Sequence, residues 1–479
     1  MLLEIVCETA VPAPEADDNL VQPLYAGLRF VVMLTGAAPS AAGTLEGTAS
    51  RAALSGVSFD VHAVAAQQEA EFGLAAMLPL TATTGGALRK CDLWLPNAEA
   101  QLAISVCGTM SRPVALGCIL RVRTSPEFAV SDDEGTFGSL LPDPKLENLW
   151  HMASCDPSDT VAMLFHFVLP SGFQAQSQPT LQVAFAYTVV IHDEPAAAET
   201  GAAEAPEKRP AIAYWTERRL RVITVQLGTS TVPKILHDSI DPPVVVQLLL
   251  HQALSAATDG PVPEVHALVR EWLVQFLGLA LDGYKVRGDQ VTDALGRNGR
   301  FINIIRGVFG LIHSAALGTD RRDAMLSVAT ADSSAILKSE LMALQPEAVM
   351  TVLYPTLLSF VDSESAPSDP LPLSREIIIT SGAKAFLVDA HSHLLVYLCM
   401  AGSHQAETEG FPNLEKEMQH RQTSTGRRHS PSLRVCHAGQ PNASYFDRAL
   451  LDDRALPDGS EETFTAFAKF VEREVIRRR

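Results

Sequence analysis

Five arginines on two strand-like segments are the residues of this sequence best suited to bind a charged ligand. They are Arg121, Arg123, Arg218, Arg219 and Arg221. Side chains alternate across a β-strand, so the first two share one face of their strand. By the same rule, Arg219 and Arg221 share a face of theirs. Several guanidinium groups on one face can hold carboxylates through paired hydrogen bonds. A solvated face whose arginines pair with nearby acidic side chains is the alternative, and the spacing leaves both open.

A His-x-His pattern near the end of the chain, His391 and His393 after Asp389, is the second arrangement that could do chemistry. On a strand it could ligate a metal ion, so a metal-dependent hydrolase is retained as an alternative function. Only about 80 residues follow, too few for the further strand–helix units of a barrel that opens on this motif. We expect a turn between two strands, with no metal and no cofactor.

No motif of a known catalytic or nucleotide-binding class stands out. The glycines form neither a phosphate loop nor a dinucleotide fingerprint, and no nucleophile elbow occurs. The seven cysteines contain no Cys-x-x-Cys pair. Asp60 and His62 share a strand face, and we interpret them as a satisfied polar pair rather than a proton relay. The sequence therefore favours binding over catalysis, and we predict no enzyme activity.

Composition narrows the class of protein further. With 479 residues, 47% of them hydrophobic, the chain is not wholly disordered. Its 37 Lys+Arg against 55 Asp+Glu give a net charge of −18, which lacks the basic footprint of a nucleic-acid binder. No signal peptide and no apolar run long enough to cross a bilayer is evident. We expect a soluble protein whose contact with membranes is peripheral.

The elements that must position the arginines change in type along the first half of the chain. Residues 1–112 alternate strand-like and helix-like runs, which indicates an α/β layer structure. Residues 113–236 contain successive strands without helical runs, which is typical of an antiparallel sandwich. The Ala-, Glu- and Pro-rich insertion 192–211 is predicted to be a disordered loop between two of these strands.

The second half changes type once more. Residues 237–350 carry apolar side chains at helical spacing and predict an all-helical block. Residues 351–479 contain short strands, among them EIIITSG at 376–382, followed by a polar crossing and an amphipathic final helix. This pattern predicts a small α/β domain.

In this order the segments resemble the inner-coat proteins of the COPII vesicle coat, a Sec-type pair of one GTPase-activating and one cargo-adaptor subunit. The Thr-Gly-Gly turn of TATTGGAL, the Arg-x-Arg-x-Ser run of CILRVRTSPEF and the Arg-Arg-x-Arg-Val run of ERRLRVITVQL are similar to segments of that family. So are VMTVLYPTLLSF and the stretch from LPLSREIIIT to HLLVYLC. The final segment from SYFDRALLDD onwards is more similar to the cargo adaptor.

The resemblance implies a multidomain α+β fold. Its parts would be a partial von Willebrand-like α/β trunk (1–112), an antiparallel β-sandwich (113–236), an all-helical domain (237–350) and a gelsolin-like α/β domain (351–479). The early trunk strands and the zinc finger of the family are absent from the sequence. The chain therefore resembles an N-terminally truncated or divergent member.

The resemblance also implies a function: a cargo-adaptor subunit in ER-to-Golgi transport, cytoplasmic and peripheral on the ER membrane or COPII vesicle. Its partners would be the GTPase-activating paralogue, as a heterodimer, and cytosolic cargo tails, with a Sar-type GTPase only indirectly and no nucleic acid. The arginine with which the GTPase-activating member enters that GTPase falls near Ser444 when the region is aligned on Ala443, and neighbouring Arg448 is a poor substitute for it. This argues against GTPase activation. The five arginines are the candidate cargo or partner contacts. A divergent scaffold of another large assembly is the alternative.

Overall fold

The computed structural model describes most of the chain from residue 28 onwards. The described residues are 28–37, 42–67, 70–93, 98–131, 136–170, 172–173, 178–192, 214–259, 262–287, 290–317, 331–399, 411–423, 427, 431–440, 442–447, 449–453 and 463–479. Apart from its first residue, the predicted disordered insertion 192–211 lies outside them.

The first part is a parallel three-stranded sheet with helices. Its elements are β1 (Leu28–Leu34), α1 (Ala42–Leu54), β2 (Val57–Ala65), α2 (Leu78–Thr84), β3 (Leu88–Asp92) and α3 (Ala98–Ser111). The strands lie in the order β1-β2-β3, and both pairings are parallel. β2 is buried along almost its whole length, as a central parallel strand should be.

The Thr-Gly-Gly turn after α2 is a packing device. Gly85 has φ 74°, a left-handed conformation that glycine adopts without steric penalty. A Cβ atom on Gly86 would lie 1.8 Å from the carbonyl oxygen of Phe59. The two glycines therefore let this turn approach the backbone of β2.

The second part is an antiparallel sheet of five strands with two small flanking ribbons. Its strands are β4 (Ala115–Thr124), β5 (Phe128–Val130), β6 (Thr136–Phe137), β7 (Leu141–Pro142), β8 (Leu149–Cys155), β9 (Ala162–Met163), β10 (Phe165–Phe167), β11 (Thr180–His192) and β12 (Tyr214–Gln226). The main sheet has the order β12-β11-β4-β8-β7. β5 pairs with β10, and β6 pairs with β9.

Seven helices follow. They are α4 (Pro233–Asp238), α5 (Pro242–Asp259), α6 (Val262–Gly283), α7 (Val291–Arg297), α8 (Gly299–Ile312), α9 (Ala331–Leu341) and α10 (Pro346–Leu353), all within the described residues. Their buried side chains, among them Leu273 and Phe309, share one core with Phe467 and Val471 from the end of the chain. The helical block and the last part are thus packed together.

The last part is a mixed four-stranded sheet. Its elements are β13 (Thr356–Phe360), α11 (Arg375–Thr380), β14 (Ala385–Asp389), β15 (His393–Leu398), α12 (Pro412–Thr423), β16 (Ser432–His437), α13 (Ala443–Asp447) and α14 (Phe464–Arg478). The order is β13-β14-β15-β16, and only the last pairing is parallel. The predicted domain boundaries at residues 112, 236 and 350 stay predictions.

The strand predicted at 376–382 is wrong, because Arg375–Thr380 forms the helix α11. The side chain of Ser374 accepts a hydrogen bond from the backbone N–H of Ile377 at 3.4 Å. This N-cap satisfies one of the free donors at the start of a helix. A local cap thus prevails over the strand preference of three successive isoleucines.

One buried carboxylate joins the helical block to the first sheet region. Asp332, on α9, accepts hydrogen bonds from the backbone N–H groups of Phe72 and Leu74, each at 2.6 Å. Asp332 is almost fully buried, and Ala335 of the same helix belongs to the core around β2. Two segments some 260 residues apart are therefore held at this point.

Asp60 and His62 do not form the satisfied polar pair that we predict from their spacing. Asp60 instead binds Arg29, with one contact of 2.9 Å, and accepts the backbone N–H of Ala87 at 2.8 Å. The Nε2 atom of His62 is buried and has no hydrogen-bond partner in the described part of the chain. The alternation correctly placed both side chains on one face of the strand. It could not show that Arg29 of the neighbouring strand binds the carboxylate of Asp60.

We expect the protein to lose stability in mild acid because of three buried histidines. Burial lowers the pKa of His62, His251 and His391 to about 4, whereas unfolded histidine titrates near 6.5. Between those values the unfolded state binds more protons, so stability falls as the pH drops from about 6.5 towards 4. Each histidine contributes at most about 1.4 kcal/mol per pH unit.

Urea unfolding at a series of pH values between neutrality and mild acid measures this effect. His166 is exposed, so His166→Gln should leave the pH dependence unchanged, whereas His251→Gln should make it shallower. Equal unfolding free energies across the window would show that the buried rings are not the acid-sensitive groups.

Candidate interaction surface

The five candidate arginines lie on two strands of the five-stranded sheet, but on both of its faces. Arg121 is opposite Ala184 of β11, which is opposite Val222 of β12. Paired residues point to the same side of an antiparallel sheet. This side, which also carries Arg123 and Arg218, is called the open face. The other side, which carries Arg219, Arg221 and the buried side chains of Val122 and Trp150, is called the core face.

On the open face, two of the three arginines are held by hydrogen bonds. Arg123 Nη1 donates to Gln182 Oε1 at 3.3 Å. Arg218 Nη1 donates to the carbonyl oxygen of Gly117 at 2.6 Å and to Thr188 Oγ1 at 3.1 Å. Arg121 forms no hydrogen bond or ion pair within the described part of the chain. Its guanidinium group is therefore available to a ligand.

On the core face, one arginine is paired and one is not. Arg219 donates two hydrogen bonds to the carboxylate of Glu217, at 3.2 and 3.1 Å. These bonds lower the pKa of Glu217 and keep it ionised. Arg221 lies opposite Phe185 and makes no ion pair among the described residues. Arg221 is thus the free cation of this face, beside the stacked rings of Phe185 and Tyr187.

The structure does not bring the five arginines into one cluster. A ligand that lies flat on one face reaches either the set with Arg121 or the set with Arg221. Arginines of both faces come together at the edge of the sheet that β12 forms, because Arg218, Arg219 and Arg221 all belong to this strand. The edge is therefore where a single extended ligand could meet cations of both faces.

Large apolar side chains accompany the arginines on β12, and the sequence interpretation missed them. On the open face, Leu220 and Val222 are 65% and 52% exposed. On the core face, the exposed apolar side chains are those of Trp215, Ile223 and Val225. The signal in the sequence is that apolar residues occupy both odd- and even-numbered positions of RLRVITV. Such a pattern usually indicates a strand that is buried on both faces.

Comparisons with known proteins give two relatives. The chain is 27% identical over 435 residues to protein transport protein SEC23 D of Arabidopsis thaliana, an alignment that covers 88% of this chain and 56% of that protein. Its fold matches that of the human COPII-coat protein Sec24c with a TM-score of 0.73 and 15% identity, over 99% of this chain and 61% of the Sec24c chain. No protein-family profile matches the chain.

The sequence alignment and the fold match each extend over most of the chain. The chain is thus similar in sequence to a SEC23 protein and in fold to a Sec24 protein. The match to Sec24c also confirms the predicted multidomain α+β fold class. The relative by sequence is a SEC23 protein and the relative by fold is a Sec24 protein, so the two comparisons do not decide between these two kinds of protein.

The chain spans 56% and 61% of the length of these two family members. The activity and the partners of the whole proteins therefore do not pass to it directly. Across the described residues, none of the helices is both long and apolar enough to cross a bilayer.

The His-x-His pattern lies at the turn between β14 and β15, with His391 in the turn and His393 as the first residue of β15. Asp389 accepts hydrogen bonds from Arg421 Nη1 at 2.7 Å, from Arg427 Nη2 at 2.6 Å and from the backbone N–H of His391 at 2.9 Å. The ring of His393 bonds through Nδ1 to the hydroxyl of Ser432. In the described part of the chain, no group of three or more His, Cys, Asp or Glu side chains is arranged to hold a metal ion.

Proposed function

We propose that the chain is a subunit of a COPII-type inner coat and acts as a cargo adaptor in ER-to-Golgi protein transport. The observation that carries this proposal is the fold match to the COPII-coat protein Sec24c over 99% of the chain. The aligned identity to a protein transport protein, SEC23 D, supports it independently. In this role the protein is cytoplasmic and binds the surface of the ER membrane or vesicle through its partners.

The adaptor side of the family suits the residues better than the GTPase-activating side. In the family resemblance, the position of the catalytic arginine falls near Ser444, on α13. A serine hydroxyl cannot neutralise the charge that builds up during phosphoryl transfer. Binding by arginines on a sheet needs no such group. We therefore propose that the chain acts by binding rather than by catalysis.

The proposed partners are a GTPase-activating paralogue, as a heterodimer, and cargo tails, with a Sar-type GTPase contacted only indirectly. The test is to isolate the tagged chain from cytosol, quantify this paralogue in the eluate and image the tagged chain. We expect the paralogue to copurify and the chain to concentrate at ER exit sites. No coat subunit in the eluate and a steady location elsewhere would contradict the proposal and favour a scaffold in another assembly. Stoichiometric zinc, manganese or iron in the purified protein would favour the hydrolase.

Charge reversal tests the arginines. We expect Arg121→Glu and Arg221→Glu each to weaken binding of acidic cargo-tail peptides by roughly tenfold, because each replaces attraction by repulsion at a site without a competing ion pair. Fluorescence anisotropy of labelled peptides measures the change. Arg51→Glu, an exposed arginine on α1, is the matched control. An equal loss in the control would make the effect one of net charge, and no loss in either variant would exclude both arginines as cargo contacts.

A further inference from the structure

β12 forms one edge of the five-stranded sheet, and this edge is open in the described part of the chain. The strand has 13 residues and pairs only with β11, in a register that runs without interruption from Tyr214 to Gln226. At about 3.3 Å per residue it spans roughly 40 Å. Its outward backbone N–H and C=O groups are therefore a long, regular template for another strand.

Several of the usual protections of an edge strand are missing from β12, although its core face carries the charges of Arg219 and Arg221. Natural edges are kept from pairing by prolines, bulges, short strands or charges that point inwards. β12 contains no proline and no bulge against β11. Both of its faces expose aliphatic side chains, among them Leu220 and Ile223 at 65% and 63%. An exposed apolar patch on a regular edge is typical of an interaction site.

The charges of β12 indicate the chemistry of what it binds. The strand carries three arginines and one glutamate, although the whole chain has a net charge of −18. Arg219 is neutralised by Glu217, whereas Arg221 has no ion pair among the described residues and Arg218 contacts only neutral oxygens there. The remaining cations, one on each face, lie among aliphatic side chains. They are complementary to carboxylates on a strand of otherwise aliphatic residues.

We propose that β12 binds an extended segment of another polypeptide as an added β-strand, and that this segment is aliphatic with carboxylates placed opposite Arg218 and Arg221. Main-chain hydrogen bonds to the open edge provide the affinity, and the side chains on both faces provide the selectivity. This inference deepens the proposed function by giving the chemistry of one partner. It rests on that function only for the identity of the partner in the cell.

The test uses the purified full chain and the designed peptide TVTEVIEVTVT, whose glutamates have the same spacing as Arg218 and Arg221. In an added antiparallel strand, alternate residues turn both their N–H and C=O groups towards the edge. We therefore compare two peptides of identical side chains, N-methylated on one or the other alternating set of amides. We expect N-methylation of one set of amides to abolish binding and N-methylation of the other set to leave binding nearly unchanged. Isothermal titration calorimetry measures the affinities.

A charge swap in the protein is the second arm. Arg218→Glu combined with Arg221→Glu should weaken binding of the glutamate peptide by at least about tenfold. The same double variant should bind more tightly a peptide in which lysines replace the two glutamates. The gain for the lysine peptide also shows that the variant is folded. Arg51→Glu, on α1, should change neither affinity.

Several outcomes would overturn the inference. They are an affinity weaker than about 1 mM, an equal loss from both methylation patterns, or a purified chain that is already a dimer separated by Leu220→Lys. Binding that appears only after removal of residues 1–27 would show that the chain itself covers the edge. The assay needs no coat component, so a chain that binds the peptide but recovers no coat subunit would contradict the proposed function alone.

Discussion

Gly310→Ala is expected to destabilise the protein by about 3 kcal/mol or more, the upper range for overpacking a buried site. Gly310 is in the buried part of α8. A Cβ atom there would lie 2.0 Å from the carbonyl oxygen and 2.6 Å from the carbonyl carbon of Leu353, the last residue of α10. The obstacle is main chain, which cannot rotate away as a flexible side chain can. The helices α8 and α10 must therefore separate, and the core that they share opens.

Gly278→Ala is the matched control, because it makes the same change in a helix of the same block. Gly278 lies within α6, and a Cβ atom there would meet nothing within 4 Å. Replacing glycine by alanine in an unobstructed helix interior should stabilise the protein by about 0.5–1 kcal/mol. Thermal unfolding followed by circular dichroism compares the two. A melting temperature for Gly310→Ala at or above that of Gly278→Ala would show that the close contact is not structurally required.

Asp332→Ala is expected to cost about 2–6 kcal/mol, because each of two buried N–H groups loses its acceptor at about 1–3 kcal/mol. These are the backbone N–H groups of Phe72 and Leu74, each 2.6 Å from a carboxylate oxygen. Asp332→Asn should cost less than Asp332→Ala, because the amide keeps one acceptor oxygen while its NH₂ group faces the second donor. We therefore expect Asp332→Ala to be the least stable, Asp332→Asn to be intermediate and the wild type to be the most stable.

Hydrogen exchange at Phe72 and Leu74, together with chemical denaturation, measures this loss. We expect faster exchange of both amides in Asp332→Ala. Asp369→Asn removes an exposed carboxylate and should leave stability within about 0.5 kcal/mol of the wild type. Unchanged protection of the two amides in Asp332→Ala would show that α9 is held to the first sheet region by apolar packing alone.

Several elements were predictable because their cause is local. Helical spacing of apolar residues identified the runs that form α6 and α14, and apolar runs bounded by turn residues identified β11 and β12. The error at 376–382 has a local cause too. Three successive isoleucines favour a strand, but Ser374 caps the first turn of a helix. Ser374, shortly before the run, is the signal in the sequence that favours a helix at this point.

Other features depended on partners distant in the chain. Asp60 binds Arg29, which is 31 residues earlier, and Asp332 caps N–H groups some 260 residues earlier. A pattern within one strand or helix contains no information about the side chains that pack against it. The interpretation of Asp60 and His62 as a pair failed for this reason.

The sequence alone predicted that this protein binds rather than transforms, that its arginines alternate on strands, and that its segments resemble those of an inner coat. Only the tertiary structure decided that Arg121 and Arg221 lie on opposite faces and that β12 is an open edge of the sheet formed by the described residues. The order of strands in a sheet follows from contacts between distant segments, whereas local spacing specifies only which side chains share a face.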